Sequence, residues 1–180
     1  MIIGKIVSRL FKPNIERLKA RWDVDELINA LNHRDYRIRK KAAEALGEMK
    51  AKEAVDALIK TLKDGNPEVR KAAAYALGRI GDKKAIKPLV ETLKDESLDV
   101  RFEAAKSLKE IGYKKAAELP KLVSDALNIS RDEAFRILEN IRAGKFDFLR
   151  GEYEPSYAVQ SESYQSFIQK SNKKASQKRW

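Results

Sequence analysis

The sequence predicts an all-α solenoid of stacked antiparallel helical hairpins, and three observations predict it. A unit of 31 residues is written three times without a gap, over residues 24–54, 55–85 and 86–116. Within each unit the apolar residues fall at helical spacing: in the middle copy Ala57, Leu58 and Leu62 form one stripe, and Val69, Ala73, Ala76, Leu77 and Ile80 a second. Between the stripes stand turn and cap residues, Lys63-Asp64-Gly65-Asn66-Pro67. A fixed period of roughly 20–50 residues marks arrays in which each unit buries its apolar face against the next.

Taken in order, residues 1–23 read as an N-terminal capping segment. Ile2, Ile3, Ile6, Val7 and Leu10 make an apolar stripe opposite Lys5 and Arg9. A stripe this short is better suited to packing on the array, or on another protein, than to lying on an anionic membrane. Asn14–Ala20 predicts a helix, and Trp22 is expected to cover the exposed end of the first hairpin, as terminal units require. In each repeat the second helix begins at a cap, with Asn66 before Pro67 and with Asp35 and Ser97 at the equivalent places. It ends at Gly81 or Gly112, residues suited to the left-handed cap conformation. Ala42/Ala43, Ala73/Ala74 and Ala104/Ala105 are small enough for second helices to pack closely between neighbouring hairpins. Residues 117–148 read as a divergent fourth hairpin, with helices over Glu118–Leu127 and Arg131–Ala143, a capping box of Ser130 with Glu133, and Gly144 as the stop. Residues 149–180 are polar and rich in Ser, Gln and Lys, the composition of a flexible basic tail. Tyr153, Tyr157, Tyr164 and Phe167 are aromatic anchors that could dock such a segment into a groove.

The composition, 43% hydrophobic and 36% charged over 180 residues, supports one modest domain. No apolar run approaches the roughly 18–20 residues of a membrane span, and the opening MIIGKIVSRLFKPN has neither the length nor the cleavage site of a signal peptide, so a cytoplasmic protein is expected. The absence of cysteine removes disulfides, thiolate nucleophiles and thiolate metal sites. The net charge of +11 raises the question of polyanion binding. Its excess lies at the ends: residues 1–23 carry +4, whereas the three repeats carry +1, +3 and +1. Lys170, Lys173, Lys174, Lys178 and Arg179 are therefore candidates for weak, nonspecific contact with nucleic acid or an anionic surface.

The pattern LxxxLxDxxxxVRxxAAxxLxxIG, at Leu58–Gly81 and Leu89–Gly112, resembles HEAT repeats, in particular the short phycobilisome-lyase HEAT-like repeat. The first unit departs from it, with His33 where the others have Asp64 and Asp95, and Lys50 where they have Gly81 and Gly112. The resemblance implies a right-handed α-solenoid that presents a curved surface to a protein partner, with the second helices lining the concave side. Of the catalytic relatives, bilin lyases would need a chromophore pocket that nothing here identifies. The di-iron centre of deoxyhypusine hydroxylase needs paired His-Glu motifs, and this sequence has one histidine. HEAT-like DNA glycosylases use a concave aromatic and carboxylate site, whereas Trp22 and Trp180 stand at the ends. The expectation is a non-catalytic protein-interaction scaffold with no cofactor and no metal.

Two polar patterns are candidates for a site. Arg39, Arg70 and Arg101 recur with the repeat, Asp64 and Asp95 standing six residues before the latter two. They could form a row of anion contacts, but a spacing that follows the repeat favours ion pairs tying one hairpin's turn to the next. The second helices also carry a row that varies between copies: Lys40, Lys71 and Phe102, then Glu44, Tyr75 and Lys106, with Arg79 one turn on. Aromatic residues beside Arg and Lys are favoured at interfaces, which makes this row the candidate partner-binding groove. Gly78-Arg79-Ile80-Gly81 copies the GxxG of a nucleic-acid-binding loop without the surrounding strands, and reads as a helix end.

Overall fold

The computed structural model describes residues 12–111, 119–127, 129–146 and 149, and the chain divides into two compact units, Met1–Gly112 and Tyr113–Trp180. The apolar stripe at Ile2–Leu10, Gly112, and the aromatic and basic positions of the tail lie outside the described residues. Every regular element among the described residues is helical.

In the first unit, α1 (Ile15–Ala20) precedes three hairpins, α2 (Val24–Ala30) with α3 (Tyr36–Glu48), α4 (Val55–Thr61) with α5 (Pro67–Ile80), and α6 (Ile86–Thr92) with α7 (Leu98–Ile111). Single 3-10 turns at Lys52–Ala54 and Lys83–Ala85 join one hairpin to the next. The caps fall where the turn residues put them. The side chains of Asn14, Asp35 and Asn66 accept the backbone N–H groups of Arg17, Arg37 and Glu68. Pro67 opens α5, and Gly81 closes it in the left-handed conformation, φ 75°. Lys50 holds the same place after α3 at φ 52°, a conformation that costs a residue with a Cβ about 1–2 kcal/mol.

The core repeats with the sequence. Leu27, Leu58 and Leu89 of the first helices are fully buried, as are Leu46, Leu77 and the alanine pairs of the second helices. Buried Thr61 and Thr92 donate their hydroxyls to the carbonyls of Ala57 and Pro88 one turn back, so neither leaves an unmet polar group. The most extensive packing in the unit is α3 on α5 and α5 on α7, while the first helices hardly touch one another.

Two glycines set that close approach. A Cβ at Gly47 would stand 2.6 Å from the Ala76 Cα, and one at Gly78 would stand 2.6 Å from the Ser107 Oγ and 2.9 Å from its Cα. Gly78 lies in the last turn of α5, which Gly81 caps, and its missing side chain lets the buried Ser107 hydroxyl donate to the Ala74 carbonyl at 2.8 Å. Trp22 departs from expectation: it is 67% exposed in a left-handed turn, φ 55°, between α1 and α2. The first hairpin is covered instead by α1, through buried Ile15.

The second unit holds a helix pair, α8 (Leu119–Leu127) and α9 (Arg131–Ala143), packed through Val123, Ala134 and Ile141. Ser130 and Glu133 form the capping box, and Gly144 ends α9 at φ 75°.

Gly78→Ala should destabilise the chain by about 2 kcal/mol in urea denaturation, since the new methyl has packed backbone in front of it. Gly65→Ala, where a Cβ meets nothing within 4 Å, should be neutral or stabilising by about 0.5 kcal/mol. Lys50→Gly should stabilise by about 1 kcal/mol, and a lower melting temperature for that variant would show that the left-handed turn carries no strain.

Candidate functional site

Two rows of ion pairs cross the repeats, one part-buried and one exposed. In the part-buried row, Arg39 grips Asp64 with Nε to Oδ2 at 2.7 Å and Nη2 to Oδ1 at 2.8 Å, and Arg70 grips Asp95 at 2.7 and 2.9 Å. The remaining guanidinium nitrogen of each donates to a backbone carbonyl of its own turn: Arg39 to His33, Arg70 to Asp64 and Arg101 to Asp95. Each aspartate also accepts a backbone N–H two residues on, from Asn66 or Ser97, at 2.9 and 2.8 Å. Arg39 and Arg70 are therefore spent on tying consecutive turns together, as the repeat spacing suggests. Burial works against ionisation of Asp64, but the bonds from Arg39 and the Asn66 N–H outweigh it and hold its carboxyl below the ordinary value.

His33 takes the aspartate's place in the first repeat and copies one of its jobs. Its Nδ1 accepts the Asp35 N–H at 3.0 Å. The ring is buried, and its Nε2 has no partner among the described residues.

The exposed row lies on the second helices, where the Lys40 Nζ meets Glu68 at 2.7 Å and the Lys71 Nζ meets Asp99 at 3.2 Å. Beside this row is an open groove of about 550 Å³ over α5. Buried Ala72 and half-buried Tyr75 belong to α5 itself. Glu44 and Glu48 line it from α3, and Asp99 and Glu103 from α7. Ala72 is the smallest residue of the lining, among longer side chains from both flanking helices.

Of the residues predicted for this site, the groove brings together Lys40, Glu44, Lys71 and Tyr75. Arg79, Phe102 and Lys106 are not among its lining residues. Phe102 and Tyr75 are half-buried, so neither stands free on a wet face. Sequence reasoning missed Glu48, Glu68, Asp99 and Glu103. Their signal was legible: Glu68 and Asp99 sit one period apart, 28 residues after Lys40 and Lys71.

The electrostatics also depart from expectation. Both groove lysines are engaged by acids of the following repeat, and carboxylates outnumber ammonium groups in the lining. Burial pushes the Glu103 carboxyl above its ordinary value, against the opposing pull of Lys106 and Lys71. Among the described residues, no group of three or more His, Cys, Asp or Glu is placed to hold a metal ion. No helix among them is long and apolar enough to cross a membrane.

Hairpins of this length, stacked through their second helices with Arg–Asp rungs between turns, define a helical-repeat protein. Two overlapping matches to the family model for HEAT repeats, over residues 24–109 and 78–138, together span most of the chain. The chain belongs to the HEAT-repeat family. No curated protein matches the sequence.

Arg70→Ala should cost about 3 kcal/mol, because it strands the part-buried Asp95 carboxylate and the Asp64 carbonyl. Glu103→Gln should shift stability in a pH-dependent way. A carboxyl whose folded pKa is raised favours the fold while protonated, and that contribution is lost as pH rises through the folded value. The variant should therefore match the parent well below the ordinary value of 4.5 and melt higher at neutral pH. Melting curves across pH decide it, and equal melting temperatures at pH 7 would show that the carboxylate is adequately solvated.

Proposed function

We propose that this chain is a non-catalytic scaffold that holds a segment of a partner protein in the groove over α5. The observation that carries this reading is the groove itself. Positions that pack the stack repeat from copy to copy, whereas groove positions one period apart change, as in Glu44 and Tyr75 or Ala72 and Glu103. Packing alone would have kept them alike. HEAT repeats generally mediate contacts between proteins, which agrees with this use. We also read the 31-residue period as the short phycobilisome-lyase type of the repeat, the fourth helix pair as a closing unit, and the cytoplasm as its compartment.

A polyanion is a poor occupant for a lining in which carboxylates predominate. Contact with nucleic acid would instead rest on Lys170, Lys173, Lys174, Lys178 and Arg179, outside the described residues. It would then weaken steeply with salt and vanish when residues 170–180 are removed.

Affinity capture from native extract, with bound proteins identified by mass spectrometry, tests the groove. Tyr75→Ala should keep helical content and lose most of the captured partner, a weakening of about tenfold or more for a central aromatic anchor. Lys60→Ala, an exposed change on α4, should leave capture unchanged. Equal recovery with the parent and with Tyr75→Ala would remove this groove as the binding site.

A further inference from the structure

We propose that the groove over α5 takes a cationic peptide segment, placing an Arg or Lys side chain over Tyr75 between the carboxylates of Glu44 and Glu103. This rests on the reading of the groove as the partner site and names the chemistry of its occupant.

The argument is one of charge left over. Glu68 and Asp99 are satisfied by Lys40 and Lys71, and Glu48 is paired with Lys19 of α1. Glu44 enters no ion pair among the described residues. Glu103 reaches only a loose one, with Lys106 at 4.0 Å, although its side chain is 14% exposed. The lining therefore keeps two under-compensated carboxylates on opposite walls, α3 and α7, of an open groove with an aromatic ring on the helix between them.

A guanidinium or ammonium group is the ligand that meets all three features. It replaces the water that Glu103 has lost with a charge-assisted hydrogen bond, it neutralises Glu44, and it can lie against the ring face of Tyr75. An acidic or phosphate-bearing ligand would add like charge to both walls. A purely apolar segment would bury the carboxylates unpaired, at further cost. Because the groove is open and crosses three helices, an extended chain fits it better than a compact cation does.

Calorimetric titration of the full chain, at low and physiological salt, tests the occupant with three probes: a synthetic Arg/Lys-rich peptide, an acidic peptide of equal length, and spermine. The basic peptide should bind saturably and more tightly than spermine, and the acidic one not at all. Glu44→Gln combined with Glu103→Gln should weaken the basic peptide by about tenfold, with the fold checked by circular dichroism. Glu53→Gln combined with Glu91→Gln, exposed carboxylates outside the groove, should leave it unchanged. No binding, equal losses in the two double variants, or spermine matching the peptide would each overturn the proposal. Loss of the native partner in Tyr75→Ala with no basic-peptide binding would leave the groove as the partner site and refute only its cationic occupant. Retention of the partner in Tyr75→Ala would refute the site itself.

Discussion

The close approach of consecutive second helices is the constraint on which the rest of the first unit depends. Gly47 faces Ala76 and Gly78 faces Ser107, each at distances that leave no room for a Cβ. Interiors are packed at the density of organic crystals, so one added methyl at such a contact has no empty volume to occupy. Once these helices are in contact, each short first helix packs against the second helix of its own hairpin. The Ser107 hydroxyl, bonded to the Ala74 carbonyl, adds a polar tie where a dry contact would have fixed depth but not register.

Register is set mainly at the turns. Arg39 and Arg70 are bidentate to the aspartate of the following repeat and also hold the carbonyl that ends their own first helix or turn. A planar fork makes both bonds only at one rotation of one hairpin against the next, which is why arginine serves here and lysine would not. The exposed Lys40–Glu68 and Lys71–Asp99 pairs join the same repeats as these rungs, but water screens them and each contributes little to stability. Their larger effect is on the groove, whose lysines they neutralise. What the groove keeps is the remaining charge of Glu44 and Glu103 around Tyr75.

Much of this was legible from residue types. Asn66, Asp35 and Ser130 cap helices where they were expected to, because capping is a local hydrogen bond between residues two or three apart. The Arg–Asp rungs could be anticipated because their spacing follows the repeat. Trp22 misled because an aromatic residue near a chain end suggests a cover, and nothing local reveals that its turn faces solvent. Gly78 reads as part of a helix end and does lie in the last turn of α5, but the reason it must be glycine stands nearly a whole repeat away, at Ser107. Of the row of variable positions, Lys40, Glu44, Lys71 and Tyr75 line the groove, whereas Arg79, Phe102 and Lys106 stand outside its lining, and the acids that engage its lysines come from the following repeat.

The sequence by itself determined the helices, their caps and the period at which hairpins stack, since these follow from apolar spacing and from bonds between near neighbours. Only the tertiary structure decided which glycines are contacts, which charges are spent and what sign the groove presents. The physical reason is distance along the chain: Arg39 and Asp64 are 25 residues apart, and Lys40 and Glu68 are 28 apart. A composition that is basic overall can thus surround a groove in which carboxylates prevail.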